Sequence, residues 1–296
     1  MRDIAVIEAP SVLGLWPSGV EKLPETLLDA GLADLPGVVR AGRVEPPAYD
    51  ATRDPDTGIL NPDGIARYSV RLADAVGGVL DSGRFPLVLG GDCSILLGNL
   101  LALRRLGRYG LLFLDGHTDF YQPSADPAGE AASMELALAT GRGPRILTDL
   151  EGRGPLVRDE DVVAFGFRDS AESAEHGMQP LPSQLYAIGL DDVRAAGAPA
   201  AARHAVNRLT GGSHAGYWVH LDVDVLDGTI MPAVDYRLPG GLTWTELESV
   251  LRTALTDKRA VGLDVTIFNP RRDPEGTIAA RLTECLRRGL SVRTAP

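Results

Sequence analysis

Three short segments carry the residue types that hold divalent cations. They are GGDCS at 90–94, FLDGHTDF at 113–120 and WVHLDVDVLD at 218–227, and each lies at the end of an apolar run. In the second, Asp115, His117 and Asp119 alternate; in the third, His220, Asp222 and Asp224 do the same. If extended backbone continues past the strand ends, each trio shares one face. Carboxylates gathered in a buried place must be protonated, paired or bound to cations, because an uncompensated buried charge is too costly. A mixed carboxylate and imidazole shell suits Mn²⁺ or a similar divalent ion, and so many acids could hold two ions through bridging carboxylates. Two such ions about 3.5 Å apart would clamp one hydroxide as the nucleophile of a hydrolysis. The alternative for each segment alone is that its aspartates only shape turns and cap helices.

The elements that must position these residues follow from hydrophobic patterning. Apolar runs without polar alternation, as expected of strands covered on both faces, lie near 3–8, 36–40, 86–90, 110–115, 161–166, 185–188, 216–224 and 259–265. Helix-period segments lie at 19–31, 64–82, 94–106, 130–140, 191–208, 243–256 and 277–289. The alternation predicts a three-layer α/β/α fold with a mainly parallel central sheet, in which ligands bind beyond the carboxyl ends of the strands. No composition break or repeat divides the chain, so one domain is expected over 1–296. Long irregular stretches at 44–62, 120–129 and 226–241 read as site walls or oligomer contacts.

Composition narrows the partners. The 296 residues are 44% hydrophobic, enough for a sizeable core, and the net charge of −11 argues against nucleic acid, which needs a concentrated basic face. A small cationic substrate suits that charge. No apolar run reaches the ~18 residues of a membrane helix. Two cysteines, Cys93 and Cys285, cannot build a disulfide framework, and the opening MRDIAVIEAP is strand-like, so a cytoplasmic location is expected.

The ordered motifs resemble those of the ureohydrolase family of arginase, agmatinase and formimidoylglutamase. The family's GGDHS, DAHxD and SxDxDxxDP motifs, and the GGLT that follows, correspond to GGDCS, DGHTD, HLDVDVLD and GGLTW. The opening IEAPSVLGLWPSGVEKLPETLLDAGL and the late VGLDVTIFNP are also similar to family segments. The resemblance implies an arginase-like fold, two Mn²⁺ ions and a homo-oligomer, trimer or hexamer. It implies that Asp115 and Asp222 bridge the ions, that Asp119 and the residue at 93 complete one shell, and that His117 and Asp224 complete the other. The implied reaction is attack of a bridging hydroxide on an sp² carbon bearing nitrogen, with cleavage of a linear C–N bond in a guanidine, hydroxyguanidine, amidine or amide-type substrate.

Departures from the family concentrate at the site. Cys93 stands where the family has histidine; a bound thiolate is softer and favours Zn²⁺ or Fe²⁺, whereas an unbound one is a small buried hydrophobe. Ile267 stands at the glutamate that pairs with the substrate guanidinium, Ala132 near the flap histidine of arginases, and Ala171 at the second aspartate of a segment whose first is Asp169. Asp119 and His220 are the candidates for proton transfer, with His220 equally readable as a satisfied core histidine, and Glu130, Glu135 and Glu172 are candidates for contact with a cationic substrate or ordinary surface acids. A looser likeness connects the chain to the N-hydroxyarginine hydrolase branch, which has Cys at the GGDHS histidine. The readings from other classes are a non-catalytic or metal-impaired binding protein and a redox-sensitive site at Cys93.

Overall fold

The computed structural model describes residues 3–294; residues 1–2 and 295–296, the ends of the expected domain, lie outside it. Each of the eight apolar runs forms a strand: β1 (Ile4–Ala9), β2 (Val38–Arg43), β3 (Phe85–Gly90), β4 (Gly110–Leu114), β5 (Val162–Phe165), β6 (Tyr186–Ile188), β7 (Tyr217–Asp222) and β8 (Ala260–Thr266). They join in one sheet, ordered β2-β1-β3-β8-β7-β4-β5-β6, in which every pairing is parallel. Every residue of β3, β4 and β7 is buried, which is why these runs lack polar alternation. β2, at the sheet edge, is exposed from Val39 to Arg43.

Alternate residues of each strand enter two different cores. Leu87 and Leu89 face helices Ala198–Thr210, Trp244–Thr256 and Thr277–Thr294 on one side. Val88 and Ala5 face helices Pro62–Asp81 and Leu96–Leu106 on the other. The result is the three-layer α/β/α arrangement. Each wholly buried leucine or valine contributes about 1.5–3 kcal/mol, so both layers are firmly held. The expected helix over 191–208 is split into Leu190–Ala196 and Ala198–Thr210, because Gly197 takes a φ of 78° and Pro199 occupies the first turn of the second helix. Among the described residues no helix is long and apolar enough to cross a membrane.

The topology brings the three ligand-bearing segments together. Strands β1 to β3 make one side of the sheet, with β2 at the edge, β4 to β6 run outward on the other, and β8 and β7 fill the gap between β3 and β4. The four central strands therefore end side by side, at a reversal of strand order where parallel sheets open a crevice.

Candidate metal centre

Each of the three motif loops is folded by hydrogen bonds to an aspartate carboxylate. After β3 the chain passes so close to the N-terminal loop that a Cβ on Gly91 would lie 1.8 Å from the Ser11 carbonyl oxygen, so only glycine fits. Asp92 then caps the turn Cys93–Ile95, accepting from Ser94 N at 2.9 Å and from the Ser11 hydroxyl at 2.9 Å. Asp115 Oδ1 accepts from His117 N at 2.6 Å, and Asp222 Oδ1 from Asp224 N at 2.7 Å. These bonds turn the chain, so the strands do not continue through the motifs as alternation required. β4 ends at Leu114, Asp119 has a φ of 43°, and Asp224 sits in the turn Val223–Val225. Asp115 and Asp222 each spend Oδ1 on the turn, so the turn reading of these two aspartates holds and leaves Oδ2 turned elsewhere.

The side chains meet in two groups that share Asp115. His117 Nδ1 lies 2.9 Å from Asp224 Oδ2 and 3.6 Å from Asp115 Oδ1. One ligand atom each from Asp115, His117 and Asp224 falls within 4.8 Å of the others. The same span holds for one atom each of Cys93, Asp115, Glu135 and His220. Between the groups, Cys93 Sγ donates to Asp222 Oδ2 at 2.9 Å and lies 3.1 Å from Thr266 Oγ1. Behind them, the parallel register pairs His220 with Asp264, whose Oδ2 is 2.6 Å from His220 Nδ1.

Several buried polar atoms here find no hydrogen-bond partner among the described residues: Asp115 Oδ2, both Glu135 oxygens and His220 Nε2. Acceptors orphaned together in a dry place fit a bound cation. The acidities agree. Burial, then the charge of Asp119, pushes Asp115 well above the ordinary carboxylate range. Burial raises Asp119, Glu135, Asp222 and the Cys93 thiol likewise, each with a neighbouring acid adding to it. Asp224 is the exception: burial raises it, but the His117 imidazole outweighs burial and holds it below the usual range.

Above this floor opens a cavity of about 330 Å³. Cys93, His117, Asp119, Asp222, Asp224, Glu130 and Glu172 all line it. Asp115 lies beneath, 1% exposed, while Glu135 and His220 are wholly buried and are not among the lining residues. One wall is apolar, with Leu15, Ala132 and Ile267. Ile267 holds a φ of 71°, unusual for a β-branched residue, and its amide donates to Gly91 O at 2.9 Å, tying the end of β8 to the turn after β3. The lining is also acidic: Glu130 Oε2 accepts from the Tyr236 hydroxyl at 2.7 Å, and burial pushes Glu130 up to about 7.

Three contributors escaped the sequence reading. Arg168 clamps the loop after β7, donating to the carbonyls of Asp224 at 2.9 Å, Leu226 at 3.0 Å and Leu238 at 2.9 Å. Tyr236 fixes Glu130. Asp264 orients His220, and a carboxylate in the middle of the apolar run AVGLDVTIF was the signal for it, since such a group requires a buried partner.

Comparison with known proteins agrees with this architecture. The model of the arginase family matches residues 2–288. An arginase of Staphylococcus aureus is 28% identical over 281 residues, covering 92% of this chain and 91% of that one. The native arginase structure from Bacillus caldovelox superposes with a TM-score of 0.86 at 26% identity, covering 97% of this chain and 98% of the other. The proclavaminate amidino hydrolase of Streptomyces clavuligerus shares the fold at a TM-score of 0.71 and 21% identity, over 100% of this chain and 92% of its own. With a family match across nearly its whole length, the chain belongs to the arginase family.

Proposed function

We propose that the protein is a metal-dependent hydrolase that cleaves a linear C–N bond in a small molecule bearing a guanidine, hydroxyguanidine, amidine or amide-type group. The observation that carries this reading is the set of orphaned, buried ligand atoms beneath a cavity whose floor is made by the ends of the central strands. Two divalent cations, Mn²⁺ by family likeness with Zn²⁺ or Fe²⁺ favoured at the Cys93 end, would supply Lewis acidity and an activated water. Asp115, His117 and Asp224 would hold the outer one. The other would sit toward Cys93, where Asp119 and Asp222 are within the same crowd of acids.

The chain's own groups do the rest. Asp119 is on the cavity wall at the floor, placed to carry a proton to the departing nitrogen, whereas His220 stands behind the wall. Glu130 and Glu172 on the rim favour a cationic tail on the substrate. Ile267 offers no bidentate carboxylate to a guanidinium. The apolar wall therefore favours a reacting group less basic than a guanidinium, such as a hydroxyguanidine, whose electron-withdrawing oxygen lowers its basicity. A cytoplasmic homo-oligomer, trimer or hexamer, is the assembly implied by the family, and sedimentation measures it.

The test combines metal analysis with a substrate panel. Chain purified without chelator is expected to carry divalent ions and to release urea, hydroxyurea or ammonia from arginine, N-hydroxyarginine, agmatine or amidine analogues. Chelation should abolish turnover and metal should restore it. Fewer than one ion per chain after reconstitution with Mn²⁺, Zn²⁺ and Fe²⁺, with no C–N cleavage, would overturn the reading.

A further inference from the structure

The inner end of the floor holds ligand atoms that the family pattern does not use. His220 is 0% exposed; Asp264 orients its Nδ1 at 2.6 Å, while its Nε2 is bare among the described residues. Asp264 is itself held by Trp218 Nε1 and by Asn99 Nδ2, the latter at 3.1 Å. The imidazole stacks on Phe113 with ring centres 4.8 Å apart and planes 16° from parallel. A carboxylate that fixes one imidazole nitrogen and leaves the other free is how proteins present a metal-ligating histidine. Glu135 is equally buried, with its carboxyl crowded against that of Asp119 and neither oxygen in a hydrogen bond of good geometry among the described residues. Buried oxygens left bare on Glu135 and on Asp115 beside a bare imidazole nitrogen call for a cation between them.

The geometry points to an inner cation site built from Cys93 Sγ, Asp115 Oδ2, a Glu135 carboxylate oxygen and His220 Nε2. In it, Glu135 and His220 do the work of the imidazole that Cys93 replaces. This assignment rests on the metal-dependent reading above and names the ligands of one of its two ions. One thiolate, one imidazole and two carboxylates make a four-coordinate, partly soft donor set, which selects Zn²⁺ over Mn²⁺. Bond lengths of about 2.0–2.3 Å set such ligand atoms roughly 3.3–3.7 Å apart. One ligand atom each of Cys93, Asp115, Glu135 and His220 lies within 4.8 Å of the others, a spread that carboxylate rotation can close to that spacing on loading. On loading, the Cys93 thiol, now 2.9 Å from Asp222 Oδ2, gives its proton to solvent and binds as thiolate. The outer group, Asp115, His117 and Asp224, offers only oxygen and nitrogen and suits Mn²⁺. The centre is then a mixed pair, with a soft ion held tightly inside and a harder, exchangeable one facing the cavity.

The full chain, loaded with Zn²⁺ and Mn²⁺ and dialysed against a weak chelator, is expected to retain Zn²⁺ while Mn²⁺ exchanges. Loaded with Co²⁺, it should show a thiolate-to-cobalt charge-transfer band in the near ultraviolet. Glu135→Gln and His220→Asn should each lower the ion count from two to one, weaken Zn²⁺ binding at least 100-fold and remove the band. Asp264→Asn should weaken Zn²⁺ alone by 10–100-fold. Cys93→His should keep two ions and lose only the band. Retention of the outer ion, with unchanged circular dichroism, reports that each variant is folded. Wild type with two ions, and both Glu135→Gln and His220→Asn unaltered in count and band, would overturn this assignment alone. Wild type that takes up no ion would overturn the underlying metal reading with it.

Discussion

The floor and the wall of the cavity are built differently. The floor is made of strand ends: Asp115, Asp222 and Asp224 are 1%, 2% and 4% exposed, and each of the first two accepts a backbone hydrogen bond that folds its own turn. The wall comes from loops and short helices, with Glu172 and Tyr236 exposed and Ile267 and Ala132 apolar. Ligand chemistry on the floor cannot change without disturbing the sheet, whereas the wall can change residue by residue. The family's departures sort accordingly: four of the motif acids and His117 stand on the floor, while Ile267 and Ala132 alter what can dock above it. Cys93 and His220 are the floor positions that differ from the family pattern. Floor variants should therefore act on metal content and kcat, and wall variants on KM and substrate choice.

The largest effect is expected from Asp115, the residue shared by both ligand groups. Asp115→Asn should empty both sites and lower kcat/KM by at least ~10³-fold, since each ion supplies several kcal/mol to the transition state. Elemental analysis and kinetics measure it, and an Asp115→Asn protein with two ions and near-normal rate would break the division between floor and wall. Next comes Asp224→Asn. It removes the carboxylate 2.9 Å from His117 Nδ1, and should release the outer ion and cost roughly 10²-fold in kcat while the inner ion stays bound. Loss of both ions would show that the two groups act as one.

A smaller and more selective change is expected at the wall. Ile267→Glu restores a carboxylate facing the cavity, and the strained φ of 71° is no harder for glutamate than for a β-branched residue. A charge-assisted, bidentate pair is worth about 1.5–3 kcal/mol. KM for arginine should therefore fall on the order of 10–100-fold, with metal content unchanged. If metal is lost instead, Ile267 belongs to the floor.

The same contrast explains how much was legible in the sequence. The eight strands could be read because a strand covered on both faces is an unbroken apolar run, and the motif residues because acids crowd its end. Alternation failed past those ends: Asp115 Oδ1 and Asp222 Oδ1 bond to the backbone two residues on, which bends the chain before the next ligand arrives. His117 and Asp224 converge through the turn and not through parity. Glu135 read as a surface acid that could greet a cation, because nothing local shows that Glu135–Ala139 is buried behind Asp119. The pairing of His220 with Asp264 depends on β7 and β8 lying side by side, a fact of sheet order that no local pattern contains.

The mildest test concerns Glu130, at the rim. Burial, opposed by the Tyr236 hydrogen bond and reinforced by Asp126, pushes this carboxyl up to about 7 from an ordinary 4.5. Between those values the unfolded chain has lost the proton that the folded chain still holds, so the folded state binds more protons and stability falls as pH rises through the window. Above about 7 both states are ionised and the loss is complete. Glu130→Gln, which carries no charge at any pH, should therefore be more stable than wild type at pH 8 by about 1–3 kcal/mol, and indistinguishable near pH 4. Denaturant unfolding of the metal-loaded chain at the two pH values measures it. The same proton governs recognition: a cationic substrate meets a neutral Glu130 below 7 and a carboxylate above it. KM for such a substrate should fall several-fold as pH rises from 6 to 8 in wild type and stay flat in Glu130→Gln, since one charge-assisted contact is worth about 1–2 kcal/mol. A KM profile that Glu130→Gln leaves unchanged would assign Glu130 to the structure of the rim and leave Glu172 as the acid that meets the substrate's tail.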